Sequence, residues 1–500
     1  MSAEAAPTLA ASARAGARWT AGAFYANTAV RLAISVGLAR LLAPADFGVM
    51  ALTMAFIGFV GLFQDSGLSS ALVQHPDPVA PAASTAMVLT TTGGILLCAA
   101  SWVLAPWVAG FMENEAVTPV LRVLAVLFVI RGLANPRRAL VQRALGFRTL
   151  AGVELAGTAA YGALGITLAA AGIGVWALVV AHLVSETIAA VVMWRAAGIR
   201  LRIADFDLQA ARRLGGFGRY MVAAGVLGML HMQLPTILVG KTMGAEVLGL
   251  YWLAFRWAQL PIGGLTYVAG RVAYPVYARL RDERERFAAG YLQVLQTIVV
   301  LALPTCIGLV LVAEPLVATL YDARWQVAVQ PLRLLAFYAL FAAVAATTGE
   351  VFKGAGIPRY VTLYAVLYNV VLGASLLVLR KYGLEGIAAG TVLAPLAVAV
   401  VSLRHVAIVL GIAPRSMLAV FASPLQGSLG MAVAVIGTSR LLAQAGAGST
   451  VQLVVEVAAG ALTYGAMLYR AEPAWWHEAA STAGLPRLRP RRGMQGDAVH

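Results

Sequence analysis

The sequence predicts an all-α polytopic membrane protein with about 14 transmembrane helices. The chain is 60% apolar and only 12% charged, whereas about a quarter of the residues in an average soluble domain are charged. Apolar stretches of the length that crosses a bilayer, about 20 residues each, follow one another from about Gly16 to Tyr469. They lack the alternation of outer-membrane strands, which leaves the α-helix as the spanning element.

The predicted spans occupy nearly the whole chain, and the joints between them are too short to hold a folded soluble domain. The longest joint runs from about Arg195 to Arg219. The span centres lie near Ala29, Phe59, Gly94, Phe128, Ala160, Ser185, Val226, Gln259, Ala302, Ala339, Ala365, Ala397, Leu429 and Leu462.

The loop charges predict the orientation of these spans. If the N-terminus is cytoplasmic, the joints after even-numbered spans and the two tails contain 26 of the 37 Lys and Arg residues, and the outer joints contain 6. Positive charge concentrates on the cytoplasmic side of membrane proteins. A missed or invented span would reverse this bias partway along the chain, and no reversal occurs, so both termini are predicted to be cytoplasmic.

An internal repeat predicts how the spans are grouped. The motif LRVLA at Leu121–Ala125 returns as LRLLA at Leu332–Ala336, and Gly172 corresponds to Gly383 at the same offset of 211 residues. Earlier in the chain, Arg40–Gly48 parallels Lys241–Gly249 at an offset of 201 residues. Each copy contains six spans, so both copies enter the membrane in the same orientation, as parallel repeats do.

We therefore predict four segments. A six-helix lobe covers residues 1–205, a second six-helix lobe covers residues 206–411, and two extra helices cover residues 412–472. A basic tail over residues 473–500 is predicted to be cytoplasmic and disordered. A substrate path is expected between the two six-helix bundles, although a repeat can also reflect ancestry in a scaffold that transports nothing.

Composition also limits the chemistry. The net charge of +15 is explained by orientation and anionic lipid headgroups rather than by nucleic acid. Cys98 and Cys306 lie in apolar stretches, and the six histidines form no zinc motif. No phosphate-binding loop for ATP is present, and no outer joint carries the paired acids of a membrane glycosyltransferase. We predict no enzymatic activity, catalytic residue, metal or cofactor.

Two segments resemble a known family. LARLLAPADFGVMALTMAFIGFVGLFQDSGLSSALVQ (Leu38–Gln74) is similar to the signature of bacterial polysaccharide transporters around the first two spans. ILVGKTMGAEVLGLYWLAFRWAQLPIGGLTYVAGRVAYPVYARL (Ile237–Leu280) is similar to the start of that family's second bundle. This family is the oligosaccharide-flippase branch of the multidrug/oligosaccharidyl-lipid/polysaccharide exporter superfamily. The similarity covers roughly residues 15 to 410.

The resemblance implies a flippase in the bacterial cytoplasmic (inner) membrane, active in lipopolysaccharide or exopolysaccharide biosynthesis. Its substrate would be a polyprenyl-diphosphate-linked glycan, moved by alternating access between two lobes around a cationic cavity. A coupling ion (H⁺ or Na⁺), membrane lipids and other glycan-assembly proteins are the remaining expected partners. The chain departs from the family pattern at His231–Gln233, where members often carry a small polar or acidic residue with Asn.

Basic residues inside spans are the candidates for the cationic cavity. A charged residue at the bilayer centre costs about 2.5–3.5 kcal/mol on insertion scales, and arginine donors match phosphate oxygens. Arg256 shares a helix face with Trp252 and Gln259, and Arg31 shares one with Asn27. Arg131 is a further candidate. Ion pairing with an embedded acid such as Asp65 is the alternative for Arg256, and snorkelling explains Arg122 and Arg333 more simply.

Acidic residues and tyrosines inside spans form two further sets. Asp65, Glu154 and Glu350 are candidates for ion coupling, with pairing to an arginine as the alternative. Glu186 follows His182 by four residues and fits an intrahelical pair, and Glu456 fits a structural role. The tyrosines at four-residue spacing suit sugar rings, and a lipid-facing or helix-packing stripe explains them at least as well; they are Tyr360, Tyr364 and Tyr368.

Two rival functions stay open at this stage. A cation-coupled drug antiporter or a peptidoglycan-precursor flippase of the same superfamily would share the architecture. A membrane glycosyltransferase or polymerase belongs to a different class of protein and would need catalytic acids in an outer loop.

Overall fold

The computed structural model of this chain describes residues 26–65, 67–74, 80–144, 146–196, 205–268, 277 and 279–472. Within these residues the secondary structure is helical, because a backbone in a bilayer must satisfy its own hydrogen bonds. The helices are α1 (26–41), α2 (Pro44–Asp65), α3 (Leu68–Gln74), α4 (Ala80–Phe111), α5 (Val117–Leu124), α6 (Val126–Arg143), α7 (Phe147–Ala170), α8 (Val175–Ala196), α9 (Leu208–Val268), α10 (Arg284–Leu320), α11 (Val329–Gly354), α12 (Arg359–Leu379), α13 (Gly383–Leu410), α14 (Pro414–Gln444) and α15 (Ser449–Ala471).

Eleven helical segments in the described part of the chain are long and apolar enough to span a membrane. In two of them the helix is interrupted at a glycine with a positive φ. Gly225–Leu260 is interrupted at Gly244, whose φ of 83° is outside the helical region. Arg359–Leu410 contains both α12 and α13, which meet at Gly383 with a φ of 69°. The all-α, multi-pass membrane fold is confirmed, whereas the count of fourteen spans stays a prediction.

The contacts divide the chain into two compact units. The first unit consists of Met1–Arg256, Leu320–Pro331 and Ala365–Ala394, and the second consists of Trp257–Thr319, Leu332–Tyr364 and Pro395–His500. The predicted lobe limits at residues 205 and 411 stay a prediction. The predicted basic tail over residues 473–500 and the N-terminal residues 1–25 lie outside the described residues.

Small residues bring α4 and α6 close together in the first unit. A Cβ atom at Gly94 would overlap the carbonyl oxygen of Phe128, and one at Gly132 would lie 2.6 Å from the carbonyl oxygen of Thr90. The Thr90 hydroxyl donates to the Gly132 carbonyl oxygen at 2.7 Å. The Gln64 amide of α2 donates to the Phe128 carbonyl oxygen, which links α2 to the same helix pair. Close backbone approach at small residues is how membrane helices pack without a hydrophobic driving force.

The two copies of the predicted repeat meet where α2 crosses α9. A Cβ atom at Gly48 would overlap the carbonyl oxygen of Ala245, and a Cβ atom at Gly249 would overlap the carbonyl oxygen of Pro44. Pro44 and Gly48 are separated from Ala245 and Gly249 by the same 201 residues that separate the repeat copies. The contact is therefore locally two-fold symmetric, with each glycine against the equivalent backbone of the other copy.

A buried tryptophan fixes the junction between α1 and α2 beside this crossing. Trp325 follows α10 in a short 3₁₀ helix and has no solvent exposure. Its indole N–H donates to the Ala39 carbonyl oxygen at 3.0 Å, and its ring meets Phe47 edge-on with centroids 5.5 Å apart. The preceding Asp322 caps the 3₁₀ helix, and hydrogen bonds from Arg324 hold the pKa of this carboxyl below its usual range.

In the second unit, α15 packs against α14 and against α10. The Tyr464 hydroxyl of α15 donates to the Val300 carbonyl oxygen of α10 at 2.7 Å. Gly427 leaves the space on α14 that the Tyr464 ring fills. The Arg284 guanidinium at the start of α10 donates to the Ile408 carbonyl oxygen at the end of α13, at 3.1 Å.

The glycine crossing gives a first test. Gly48→Ala and Gly249→Ala each place a methyl group against a backbone carbonyl that cannot rotate away, and such overpacking costs about 1–3 kcal/mol. We expect both variants to unfold at a lower temperature than the wild type in detergent. Gly93→Ala on α4 is the control, because nothing lies within 4 Å of its Cβ position. Equal melting temperatures for Gly48→Ala, Gly93→Ala and wild type would contradict the crossing.

Candidate functional site

A cavity of about 440 Å³ lies inside the first unit, lined by α1, α2, α6, α7, α8 and the last part of α9. Its wall contains more positive than negative side chains. The carboxylates are Glu154 of α7 and Glu186 of α8. The arginines are Arg31 of α1, Arg131 and Arg138 of α6, and Arg256 of α9.

Arg256 is held in the cavity wall by a backbone oxygen and an aromatic ring. Its Nη2 donates to the carbonyl oxygen of Arg31 at 3.2 Å. Its guanidinium carbon lies 5.1 Å from the centre of the Trp252 ring, a cation–π distance. Trp252 in turn stacks on Phe47, with centroids 5.2 Å apart. Among the described residues Arg256 forms no salt bridge, so the cation has no carboxylate of its own.

Arg131 does have a carboxylate partner. Its Nη2 lies 2.9 Å from Glu186 Oε1, which joins α6 to α8. The same oxygen lies 3.9 Å from Nε2 of His182, one turn earlier on α8. His182 and Glu186 are therefore neighbours on α8, as their spacing predicts, but 3.9 Å is too long for a hydrogen bond, and the shorter contact belongs to Arg131.

Several polar atoms at this wall have no hydrogen-bond partner. They include Thr158 Oγ1, His182 Nε2 and Arg256 Nε, all of them buried. Thr158 lies on α7 between Glu154 and Tyr161, and all three side chains line the cavity. Nearly all buried polar groups in proteins are paired, so these three atoms have hydrogen-bonding capacity that the described protein groups do not use.

The structure thus brings together four of the six residues predicted for the cationic cavity, namely Arg31, Arg131, Trp252 and Arg256, and one predicted coupling residue, Glu154. The described wall does not include Asn27 or Gln259. Gln259 belongs to the second unit, and the Asn27 side-chain oxygen is buried without a partner. The binding roles of all these residues stay predictions.

The other two residues predicted for ion coupling are not in this wall. Asp65, near the end of α2, accepts a hydrogen bond from the Ser69 hydroxyl, so the structure gives it a local partner rather than Arg256. Glu350 of α11 belongs to the second unit and pairs with Lys353 at 2.9 Å.

The three tyrosines at four-residue spacing on α12, namely Tyr360, Tyr364 and Tyr368, do not all belong to the same unit. In the second unit, Tyr360 and Tyr364 pack on Phe352, and the Tyr364 hydroxyl lies 2.5 Å from Nδ1 of His405. Tyr364 is only 6% exposed, which favours the helix-packing interpretation for this residue over sugar contact. Tyr368 lies in the first unit, edge-on to His231 at 5.0 Å.

The sequence did not lead us to predict Arg138 or Glu186 as residues of the cavity wall. Arg138 is one of the 26 Lys and Arg residues that the predicted topology places on the cytoplasmic side, yet it is on α6 and lines the cavity. Its position seven residues after Arg131, two helical turns along the same face, was the available signal. Arg122 and Arg333 stay outside this cavity: Arg122 lies over the Trp102 ring at 4.4 Å, and Arg333 pairs with Glu314 at 3.3 Å.

A second cavity of about 470 Å³ lies between α6 and α8 and is mainly apolar. Ala190 of α8 lines both cavities. The remaining lining residues are Ile130, Leu133, Thr187, Val191, Trp194 and Arg195. The Trp194 ring is held by the guanidinium of Arg137, 3.4 Å from its centre.

A multi-pass helical protein with a charged cavity inside its helix bundle has the architecture of a membrane transporter. This chain belongs to the polysaccharide biosynthesis protein family, whose model matches residues 37–330. The family identified from the sequence is therefore confirmed.

Curated relatives agree with this assignment. The teichuronic acid biosynthesis protein TuaB of Bacillus subtilis is 24% identical over 352 residues, 70% of this chain and 73% of that protein. The lipopolysaccharide biosynthesis protein WzxC of Escherichia coli is 23% identical over 340 residues, 67% and 68% of the two chains.

Two solved structures share the fold. The lipid II flippase MurJ in an inward closed conformation gives a TM-score of 0.75 at 14% identity, covering 91% of this chain and 99% of that one. An inward-facing multidrug resistance MATE family transporter of the MOP superfamily gives a TM-score of 0.64 at 17% identity, covering 77% and 94%. At these identities the likeness shows the fold alone.

Proposed function

We propose that this protein is a flippase for lipid-diphosphate-linked oligosaccharides or polysaccharide repeat units. It moves them across the cytoplasmic membrane by alternating access between two lobes. The observation that carries the proposal is the excess of arginine over carboxylate in the cavity of the first unit. The family and the names of its relatives supply the substrate class, since they concern teichuronic acid and lipopolysaccharide biosynthesis.

A diphosphate headgroup fits this wall. It carries at least two negative charges, and arginine presents a planar set of donors that binds phosphate oxygens in pairs. Arg256 has no carboxylate partner among the described residues, and its Nε is buried without a hydrogen-bond partner. A phosphate that accepts from Arg256 and Arg31 would remove the cost of leaving these cations uncompensated inside a membrane.

The charge of the same cavity wall gives less support to a drug antiporter. The related fold of the MATE transporter does not discriminate, because both classes share it. A cationic drug would approach four arginines and two carboxylates, and like charges in a low-dielectric site repel strongly. We therefore favour an anionic substrate and a transporter over an enzyme.

The apolar chain of the carrier lipid is best placed in the cavity between α6 and α8. That cavity adjoins the cationic one at Ala190 and is lined mainly by aliphatic side chains and Trp194. An isoprenoid chain there would keep its contact with apolar surface while the diphosphate meets the arginines.

The glycine crossing of α2 and α9 supports a conformation in which the cavity is closed towards the extracytoplasmic side. Gly48 and Gly249 lie at the start of the cavity-lining segments of their helices, and the joints just before them, at Arg40 and Lys241, are predicted to be extracytoplasmic. The cavity then lies on the cytoplasmic side of the crossing. With the N- and C-termini cytoplasmic, this is the side on which lipid-linked glycans would be loaded.

Deletion of the protein tests the flippase directly. We expect completed lipid-linked oligosaccharide to accumulate in the cytoplasmic leaflet, because synthesis continues while translocation stops. The measurement is extraction and mass spectrometry of the lipids, with leaflet assignment by an impermeant glycan-modifying reagent. Shortened glycans would favour a glycosyltransferase instead, and an unchanged lipid profile would argue against both.

Arg256→Ala tests the cationic cavity. We expect this variant to lose glycan export while still inserting into the membrane, because the phosphate loses its donor. Arg256→Lys should restore export only partly, since an ammonium group keeps the charge without the planar fork. Arg122→Ala is the matched control, because Arg122 lies over Trp102 outside the cavity. Normal export by Arg256→Ala would remove this residue from the site.

Cysteine labelling tests the predicted orientation. Ser416 at the start of α14 belongs to a joint predicted to be cytoplasmic, and Gly448 just before α15 belongs to one predicted to be extracytoplasmic. In intact cells an impermeant maleimide should label Gly448→Cys but not Ser416→Cys, and permeabilisation should expose both. The parent protein carrying only Cys98 and Cys306 gives the background. The opposite pattern would invert the topology.

A further inference from the structure

One carboxylate oxygen in the cavity wall has two basic neighbours. Glu186 Oε1 lies 2.9 Å from Arg131 Nη2 and 3.9 Å from His182 Nε2. The first distance is that of a charge-assisted hydrogen bond, and the second is too long for a hydrogen bond. Arg131 therefore neutralises Glu186 in this state, while His182 Nε2 is buried without a hydrogen-bond partner.

An anion in the cavity changes this arrangement. A phosphate group can accept both donors of the Arg131 fork, and it then competes with Glu186 for the guanidinium. A carboxylate that loses its partner in a half-buried site is destabilised. His182 is the basic group best placed to replace Arg131, because it lies one turn away on the same face of α8.

We infer that His182 is a proton-binding site that is filled when the anionic headgroup binds. Before binding, Arg131 pairs with Glu186 and the imidazole is neutral. After binding, Arg131 pairs with phosphate, and His182 has taken one proton from water at Nε2 and pairs with Glu186. The net charge of the three side chains rises by one, which offsets one negative charge of the ligand. This inference rests on the proposed function, and it assigns the proton the role of offsetting part of the charge of the bound headgroup.

Other titratable groups face His182, but histidine is the one whose ordinary range covers neutral pH. Arginines stay protonated throughout, and ordinary carboxyl and phenol groups titrate about two or more pH units away. The cavity-lining part of α2 is apolar, and Arg122 of α5 lies over Trp102. The charged or titratable neighbours are Arg31 of α1, Arg131 and Arg138 of α6, Glu154 and Tyr161 of α7, Glu186 of α8 itself and Arg256 of α9.

The sign of the pH effect follows from linkage. Because the anion favours the proton, the proton favours the anion to the same extent. Binding should therefore strengthen as the pH falls, by up to about tenfold per pH unit while one extra proton is taken up. A cationic substrate that pairs with Glu186 would give the opposite sign, since it would compete with the protonated imidazole.

The experiment measures binding of farnesyl diphosphate, a short prenyl diphosphate, to the full-length protein in detergent by calorimetry between about pH 5.5 and 8. Phosphate groups titrate near pH 6 themselves, so the His182→Gln variant reports the pH dependence of the ligand alone. We expect the logarithm of the wild-type dissociation constant to change with pH more steeply than that of His182→Gln, by about one unit per pH unit at the steepest point. Buffers of different ionisation enthalpy should show one additional proton taken up by the wild type.

Glu186→Gln separates proton binding from a merely structural role of His182. This variant keeps the imidazole but removes the carboxylate that stabilises its charge, so it should also lose the additional proton. If His182→Gln does not fold, Glu186→Gln alone is compared with the wild type. Loss of the additional proton in this variant supports the inference, and its retention contradicts it. If the logarithm of the dissociation constant changes equally with pH in the wild type and in the variants, and all of them bind the ligand, the inference is overturned. The proposed flippase function would not be affected by that result. A wild type that binds no farnesyl diphosphate at any pH would overturn both.

Discussion

The structure depends on the fact that a bilayer offers no hydrogen-bond partner to a polar group. The backbone satisfies its hydrogen bonds by forming helices, and the embedded polar side chains contact other groups of the protein. Arg122 lies over Trp102, Arg137 lies over Trp194, and Arg333 pairs with Glu314. Arg256 finds a backbone oxygen and the Trp252 ring but no carboxylate in the described chain. In the described part of the chain, the cavity of the first unit therefore holds two arginines without a carboxylate partner, Arg31 and Arg256.

Close backbone contact is the second consequence of the same environment. Lipid tails are as apolar as leucine, so helices associate through packing and hydrogen bonds rather than through the hydrophobic effect. Gly94 and Gly132 bring α4 against α6, and Gly48 and Gly249 bring α2 against α9. The second contact joins positions that are equivalent in the predicted repeat, so it is locally two-fold symmetric. It also fixes the helices that carry Trp252 and Arg256 on one side and Phe47 on the other.

The cavity combines fixed and adjustable charge. Arg31 and Arg256 have no acid partner in the described residues and remain available to an anion, whereas Arg131 is shared with Glu186. A shared cation can be transferred to a ligand, provided that another group takes its place. The position of His182 one turn from Glu186 supplies that group. A transporter needs a site that can bind tightly and then release, and a redistributable ion pair meets this need better than a set of permanently unpaired cations.

The sequence by itself determined the membrane class, the helical fold, the family and most of the arginines that line the cavity. Hydrophobic length and the cost of embedded charge act locally, so both can be recognised in a single stretch such as the one around Arg256. Only the tertiary structure decided which embedded groups meet. Glu186 was assigned to His182 because they share a helix, but Arg131, 55 residues away, makes the shorter contact. Gln259 shares a helix face with Arg256 yet belongs to the other unit, and Tyr364 is packed against Phe352. Helical periodicity fixes the neighbours along one helix, whereas the rotation and pairing of helices depend on backbone contacts, such as those of Gly48 and Gly249, that no local pattern contains.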